Sequence, residues 1–182
     1  MTESREHDLA NLDLSPTEMR AMGEAVLARV VAHLAGLPDA PSCGDFRGIE
    51  ALCRSMRESV PEQGTALDAL LAPLFDEWIP RSFTAPGPGY LAYIPGGGIY
   101  PAALADFIAD TTNRYTGIWQ AAPALVQLEA NALDWLRDWM QFPAETRGLF
   151  TTGGSMAMFN AIACAREKLL GDDIRAGTLY VS

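Results

Sequence analysis

An apolar residue recurs every three or four positions over residues 19–34, which predicts one amphipathic helix near the start of the chain. Ser15 is suited to the N-cap, Pro16 to the first helical position and Glu18 to the capping-box position, and Gly36 marks the end. The apolar stripe needs a partner surface, for which a second subunit is one candidate. Its members are Met19, Met22, Val26, Val30 and Leu34.

Five further helices are predicted from the same periodicity and from proline and capping signals. The helix at 123–140 is apolar around most of its circumference, so we expect it to be buried on more than one side. Its Trp135 and Trp139 are interpreted as core residues and not as cofactor contacts. The predicted ranges are 48–60, 65–78, 101–113, 123–140 and 155–170.

The C-terminal part of the chain has the pattern of a parallel-sheet unit. Residues 148–151 and 178–182 resemble short strands, and the helix at 155–170 lies between them. Strand, turn, helix and strand in this order form the repeating unit of a parallel sheet. One unit cannot make a finished sheet. The predicted fold class is therefore α/β, with an incomplete, mainly parallel sheet.

Glycine and proline concentrate at 84–101, interleaved with Tyr90, Tyr93 and Tyr100. This composition specifies a fixed, irregular backbone path, of a kind that often carries function, although a plain connector is the alternative. The change of character predicts two parts, a helical segment at 1–85 and the beginning of a second domain at 86–182.

Charge and cysteine content narrow the possible partners. The net charge of −10 argues against nucleic acid and anionic membrane surfaces. The N-terminus is polar, and no apolar run reaches the roughly 20 residues that span a bilayer. Cys43, Cys53 and Cys164 are odd in number and lack metal-ligand spacing, which predicts free thiols and no metal. We expect a cytoplasmic protein.

The turn before the helix at 155–170 is the strongest candidate site. A helix N-terminus exposes backbone N–H groups at the positive end of the helix dipole and favours a phosphate. Gly153 and Gly154 allow close approach, and Thr151, Thr152 and Ser155 carry hydroxyls. The spacing matches neither a P-loop nor a dinucleotide fingerprint. These residues alone equally allow a capped turn without a ligand.

Three segments in order resemble the group II pyridoxal-phosphate-dependent amino-acid decarboxylases, the family of aromatic-L-amino-acid decarboxylase. The first is Gly-Tyr-Leu-Ala-Tyr-Ile-Pro at 89–95 with Tyr-Pro-Ala-Ala-Leu-Ala-Asp at 100–106. The second is Trp-Gln-Ala-Ala-Pro-Ala-Leu-Val-Gln-Leu-Glu at 119–129 with Asp-Trp-Leu at 134–136. The third is Gly-Leu-Phe-Thr-Thr-Gly-Gly-Ser-Met-Ala at 148–157. Each motif is modest singly, but the ordered set is specific.

The resemblance implies the start of a type I aminotransferase-like large domain, with pyridoxal 5'-phosphate as cofactor and an amino acid, most simply an aromatic one, as the substrate for decarboxylation. By family analogy, Gly154 and Ser155 hold the cofactor phosphate, while Thr152 and Gly153 shape the turn. Further residues are implied to line the substrate pocket: Tyr93, Ile94, Pro95, Ile118 and Trp119.

The resemblance also implies a homodimer, in which the N-terminal helices wrap around the partner subunit. The family's ring-stacking histidine, its aspartate for the pyridine nitrogen and its Schiff-base lysine would all follow Ser182. The single lysine of this chain, Lys168, is predicted to lie on a solvated helix face. We therefore expect no catalytic residue here, the remaining C-terminal part of the enzyme as partner, and no activity from these 182 residues alone.

Departures from the family pattern leave the substrate open. Met156 and Met158 stand where members often have Glu and Asn, and no His lies near Gly87. Glutamate, diaminobutyrate and aldehyde-forming variants are the alternatives to aromatic decarboxylation. A non-catalytic assembly or anion-binding remnant is a second function that the sequence allows.

Overall fold

The computed structural model describes residues 14–93 and 96–181. These divide into two compact units, one ending at Phe107 and the other beginning at Ile108, and the predicted division between 85 and 86 stays a prediction. None of the helices in this described part is long and apolar enough to cross a lipid bilayer. They are α1 (Pro16–Gly36), α2 (Ile49–Ser55), α3 (Leu67–Pro73), α4 (Tyr100–Thr112), α5 (Pro123–Trp139) and α6 (Gly154–Leu170).

Helix α1 begins with the predicted capping box. The backbone N–H of Glu18 donates to Ser15 Oγ at 3.2 Å, and the Ser15 N–H donates to Glu18 Oε2 at 2.8 Å. Two of the unpaired N–H groups at the helix start are thereby satisfied. Hydrogen bonding to the Ser15 side chain and backbone lowers the pKa of the Glu18 carboxyl. The prediction of this helix, with its start and its end at Gly36, is confirmed.

In the first unit, α1 packs against α3 and the π-helical turn Leu74–Trp78 that follows it. Arg29 Nη1 donates to Asp76 Oδ1 at 2.7 Å, and the rings of His33 and Phe75 meet edge to face at 6.2 Å. Leu71 of α3 is the buried apolar residue here, at 7% exposure. A second face of α1 stays exposed and carries the side chains of Met19, Met22, Val26, Leu27, Val31 and Leu34.

Two predicted helices of this unit differ from the observed ones. Helix α2 ends at Ser55 and not near 60. Pro61 disfavours the α region only for Val60, so it limits how far the helix could extend and does not set the end at Ser55. The predicted helix at 65–78 is continuous only to Pro73. Proline offers no N–H to the preceding turn, so the hydrogen-bonding pattern changes to the wider π-helical turn Leu74–Trp78.

Helices α4 and α5 begin and end within one residue of the predicted positions. Asn113, with φ 42°, follows the last residue of α4. Gln141, with φ 56°, follows α5, and its N–H donates to the Asp138 carbonyl at 3.1 Å. The Phe142 N–H donates to the Arg137 carbonyl at 3.0 Å, which completes a Schellman cap.

Arg137 joins the end of α5 to the loop behind it. Its Nη1 donates to Asp134 Oδ1 at 2.6 Å and to the Ala144 carbonyl at 3.3 Å, and its Nε donates to Asp138 Oδ1 at 2.8 Å. The bond to Asp138, together with the two nearby carboxylates, raises the pKa of the Arg137 guanidinium. These hydrogen bonds tie the loop after α5 to the last turn of the helix.

In the second unit, the predicted strands are not observed among the described residues, and the predicted burial of α5 is wrong. No strand occurs among the described residues at 148–151 and 178–181, and Ser182 lies outside them. A strand exists only where its N–H and C=O groups pair with a neighbouring strand, and the described chain supplies no such neighbour. Helix α5 has no buried residue, and its Trp135 and Trp139 are 60% and 75% exposed, because this unit supplies no second layer to cover them. The sheet stays a prediction.

Candidate functional site

The turn at 151–154 leads directly into the N-terminus of α6, a helix of 17 residues. Gly153 is the N-cap and has φ 146° and ψ 174°, a backbone conformation that is essentially restricted to glycine. A Cβ added at Gly153 or Gly154 would meet no atom within 4 Å among the described residues. The space beside both glycines is therefore open to a ligand, while the φ of Gly153 alone demands glycine.

The first backbone N–H groups of α6 lack a partner in the described part of the chain. The N–H of Ala157 donates to the Gly153 carbonyl at 3.0 Å, so the regular pattern starts there. The N–H groups of Gly154, Ser155 and Met156 precede it, and no side chain caps them. The first turn of α6 carries no acidic residue that would repel an anion.

The hydroxyls around this turn divide into two kinds. Thr151 Oγ1 donates to the Gly153 carbonyl at 3.0 Å, so this hydroxyl is engaged in holding the turn. Thr152 and Ser155 are exposed, and their hydroxyls make no hydrogen bond within the described residues. Three N–H donors, two hydroxyls and open space beside two glycines fit a phosphate dianion. The structure thus brings the predicted residues Thr152, Gly153, Gly154 and Ser155 together.

Lys168 lies at the opposite end of α6, in the last turn, and is exposed as predicted. A lysine that forms imines with a cofactor is held in a desolvated pocket, and the exposed Lys168 side chain has no such surroundings among the described residues. The described residues also contain no group of three or more His, Cys, Asp or Glu side chains that could hold a metal ion.

The predicted pocket residues lie in both units. In the first, Tyr93 has φ 58° and is 85% exposed; Ile94 and Pro95 fall outside the described residues. In the second, Ile118 is extended and Trp119 opens a short 3₁₀ turn, Trp119–Ala121, with both side chains exposed. A bulky residue in the left-handed region is strained, and such strain concentrates at functional positions.

Sequence reasoning missed the groove that Tyr93 helps to line. A groove in the first unit is lined by Ser42, Cys43, Phe83, Tyr90 and Tyr93, among others. Cys43 and Phe83 form an antiparallel bridge, although 40 residues separate them in the sequence. The available signal was weak, because a single bridge leaves no strand-length pattern and the aromatic residues have no fixed spacing.

The match to known families covers most of the chain. The conserved domain of pyridoxal-dependent decarboxylases matches residues 50–175. The aromatic-L-amino-acid decarboxylase of Bacillus atrophaeus is 32% identical over 172 residues, which is 94% of this chain and 36% of that protein.

Solved structures match the fold at lower identity. A crystal structure of Oryza sativa TDC with PLP and tryptamine has a TM-score of 0.74 at 22% identity, over 88% of this chain and 37% of that one. The structure of Rhodiola rosea 4-hydroxyphenylacetaldehyde synthase has a TM-score of 0.76 at 19% identity, over 90% of this chain and 36% of that one. The chain therefore spans little more than a third of the length of these relatives.

Proposed function

Because this chain belongs to the pyridoxal-dependent decarboxylase family, we propose that it supplies the cofactor-phosphate site and part of the substrate pocket of an amino-acid decarboxylase. The family resemblance predicted from the sequence is confirmed, and so is pyridoxal phosphate as the cofactor of the family. The proposed reaction converts an aromatic L-amino acid into its amine and CO₂.

The open N-terminus of α6 is the observation that carries this proposal. In the proposed arrangement, the backbone N–H groups of Gly154 and Ser155 donate to the cofactor phosphate, and the Ser155 hydroxyl adds a third donor. Gly153 permits the turn because glycine can adopt its φ of 146°, and Thr152 forms the turn with it. The N-terminal dipole of α6 favours the phosphate dianion even though the chain as a whole is acidic.

When bound, the cofactor supplies an electron sink for the charge left on the α-carbon as the carboxylate departs as CO₂. The chain's own contribution is to anchor and orient. The resemblance assigns Tyr93, Ile118 and Trp119 to the substrate pocket, and each of these side chains exposes apolar or aromatic surface. It adds Ile94 and Pro95, which lie outside the described residues. Such surface favours an aromatic substrate over a charged one.

The remaining parts of the machinery are proposed to lie elsewhere in the protein. By the resemblance, the lysine that binds the cofactor, the carboxylate for its ring nitrogen and the stacking histidine are assigned to the part of the relatives' length that this chain does not cover. A homodimer is supported by the exposed apolar face of α1. The three free cysteines support a cytoplasmic location.

The test uses the protein expressed from its complete reading frame and loaded with pyridoxal phosphate. CO₂ release is followed with tryptophan, tyrosine, phenylalanine, glutamate and 2,4-diaminobutyrate, and the products are separated into amines and aldehydes. We expect amine and CO₂ from at least one aromatic amino acid. Cofactor binding without CO₂ from any of the five would refute catalysis and support a non-catalytic anion-binding protein.

A further inference from the structure

Two distant segments of the first unit are joined by a short clip, formed by residues 42–44 and 82–84. The Gly44 N–H donates to the Ser82 carbonyl at 3.0 Å, and the Thr84 N–H donates to the Ser42 carbonyl at 3.1 Å. The Arg81 guanidinium adds a bond to the Arg47 carbonyl at 3.3 Å. Three hydrogen bonds therefore connect the loop before α2 to the start of the glycine- and proline-rich segment.

The clip depends on the absence of a side chain at position 44. A Cβ there would lie 2.2 Å from the Pro80 carbonyl oxygen and 2.6 Å from the Arg81 Cα. Both are backbone atoms, so a side chain at this position would push the two segments apart. Gly64, by contrast, lies in a loop where an added Cβ would meet nothing within 4 Å among the described residues.

Aromatic rings extend the clip towards Tyr93. The Phe83 ring lies 5.7 Å from the Phe46 ring at 83° and 5.9 Å from the Tyr90 ring at 40°. Offset and edge contacts at such distances are attractive beyond simple burial. Two successive turns follow the same path, because the Gly87 N–H donates to the Thr84 carbonyl at 2.9 Å and the Tyr90 N–H donates to the Gly87 carbonyl at 3.2 Å.

Three clip residues, Ser42, Cys43 and Phe83, line the same groove as Tyr90 and Tyr93. Only Leu91 and Ala92 separate Tyr90 from Tyr93, whose strained backbone needs a firm support on its N-terminal side. We propose that the clip positions Tyr93, and that Phe83 thereby sets the preference of the pocket for aromatic over aliphatic amino-acid side chains. This inference rests on the proposed decarboxylase function, and it makes Phe83 a positioning residue.

The decisive variants are Phe83→Leu, which removes the ring, and Phe83→Tyr, which keeps it. In the complete, cofactor-loaded protein, we measure KM and kcat for the best aromatic substrate and the Ki of L-leucine as a competitive inhibitor. Phe83→Leu removes the ring contacts with Phe46 and Tyr90 that are proposed to support Tyr93. The KM for the aromatic substrate is expected to rise about fivefold, the effect of about one favourable ring contact. The kcat and the Ki of leucine should stay within about twofold, and Phe83→Tyr should restore the KM.

Matched controls separate positioning from a general loss of stability. Phe142→Leu makes the same substitution at similar exposure, 58% against 53% for Phe83, in the second unit. Gly44→Ala should reproduce the selectivity change, whereas Gly64→Ala should not. If Gly44→Ala fails to accumulate as folded protein, Phe83→Leu decides alone, since shortening a half-exposed side chain introduces no overlap.

The outcomes distinguish this inference from the proposed function. An active wild-type protein in which Phe83→Leu leaves the ratio of aromatic KM to leucine Ki unchanged would overturn the role of the clip and leave the decarboxylase standing. Phe83→Leu could also change the aromatic KM and the leucine Ki by the same factor, with Phe142→Leu giving the same result. That outcome would show a purely structural effect and would overturn the proposed role of the clip as well. A wild-type protein without CO₂ release from any aromatic amino acid would refute both.

Discussion

The Thr151 hydroxyl donates to the Gly153 carbonyl oxygen at 3.0 Å, across the turn that leads into α6. The same carbonyl accepts the Ala157 N–H at 3.0 Å, so it is held from the turn and from the helix at once. Both bonds support the unusual backbone of Gly153. Of the three hydroxyls that the sequence places in this turn, that of Thr151 therefore supports the turn, and those of Thr152 and Ser155 make no hydrogen bond within the described residues.

Replacing Thr151 by valine removes this hydrogen bond and keeps the shape of the side chain. We expect the dissociation constant for pyridoxal phosphate to rise about fivefold, the effect of one net hydrogen bond. Titration of the cofactor by absorbance measures it. Thr151→Ser retains the hydroxyl and should bind like the wild type. Equal affinities for the valine variant and the wild type would show that the bond does not shape the site.

The capping box of α1 predicts a pH-dependent contribution to stability. The folded-state pKa of Glu18 is lowered by Ser15, so its ionised form stabilises the fold above the ordinary carboxyl pKa, and this contribution is lost as the pH falls through the lowered value. Ser15→Ala removes the cap and should cost about 1 kcal/mol at neutral pH. Urea unfolding at neutral and acid pH measures the cost, which should be smaller in acid.

The control for this prediction is Thr17→Ala, on the same exposed helix turn but outside the capping box. It should have a small effect that does not change with pH. A cost of Ser15→Ala that is the same at both pH values would contradict the proposed link between the cap and the ionisation of Glu18.

Lys168 provides a test of where the catalytic lysine lies. Because its side chain is exposed in the last turn of α6, Lys168→Gln should leave CO₂ release and cofactor absorbance within about twofold of the wild type. The measurement is steady-state decarboxylation with a spectrum of the loaded protein. Loss of both CO₂ release and the absorbance band of the bound cofactor in Lys168→Gln would show that Lys168 is the lysine that binds the cofactor.

The sequence predicted most accurately those structural features that depend on residues close together in the chain. The capping box at Ser15 and Glu18 and the start of α6 after Gly153 are local features, and both occur as expected. The π-helical turn after Pro73 depends on how a chain accommodates one missing N–H, which periodicity does not encode. The end of α2 was missed because residues 56–58 are good helix formers, so the sequence carries no stop signal before Pro61.

Features that depend on distant residues were harder to predict. Strands at 148–151 and 178–181 need partners that lie far away in sequence, and the described chain does not provide them. Trp135 and Trp139 have the pattern of core residues but stay exposed for the same reason. The clip around Gly44 and Phe83 joins segments 40 residues apart, so it emerged only from the structure.

The most direct test of the cofactor site compares Gly154→Pro with Gly154→Ala. Gly154 is the first residue of α6, where proline is tolerated, and the extended ψ of Gly153 suits a residue before proline. Alanine keeps the N–H, and its Cβ meets no atom within 4 Å among the described residues. Proline removes the N–H that is proposed to hold the phosphate.

The measurement is the dissociation constant for pyridoxal phosphate of both variants in the protein expressed from its complete reading frame. The proline variant should bind at least about tenfold more weakly than the alanine variant, because a charge-assisted hydrogen bond is lost. Equal binding by the two variants would contradict the account, since it would show that the N–H at the start of α6 does not hold the cofactor.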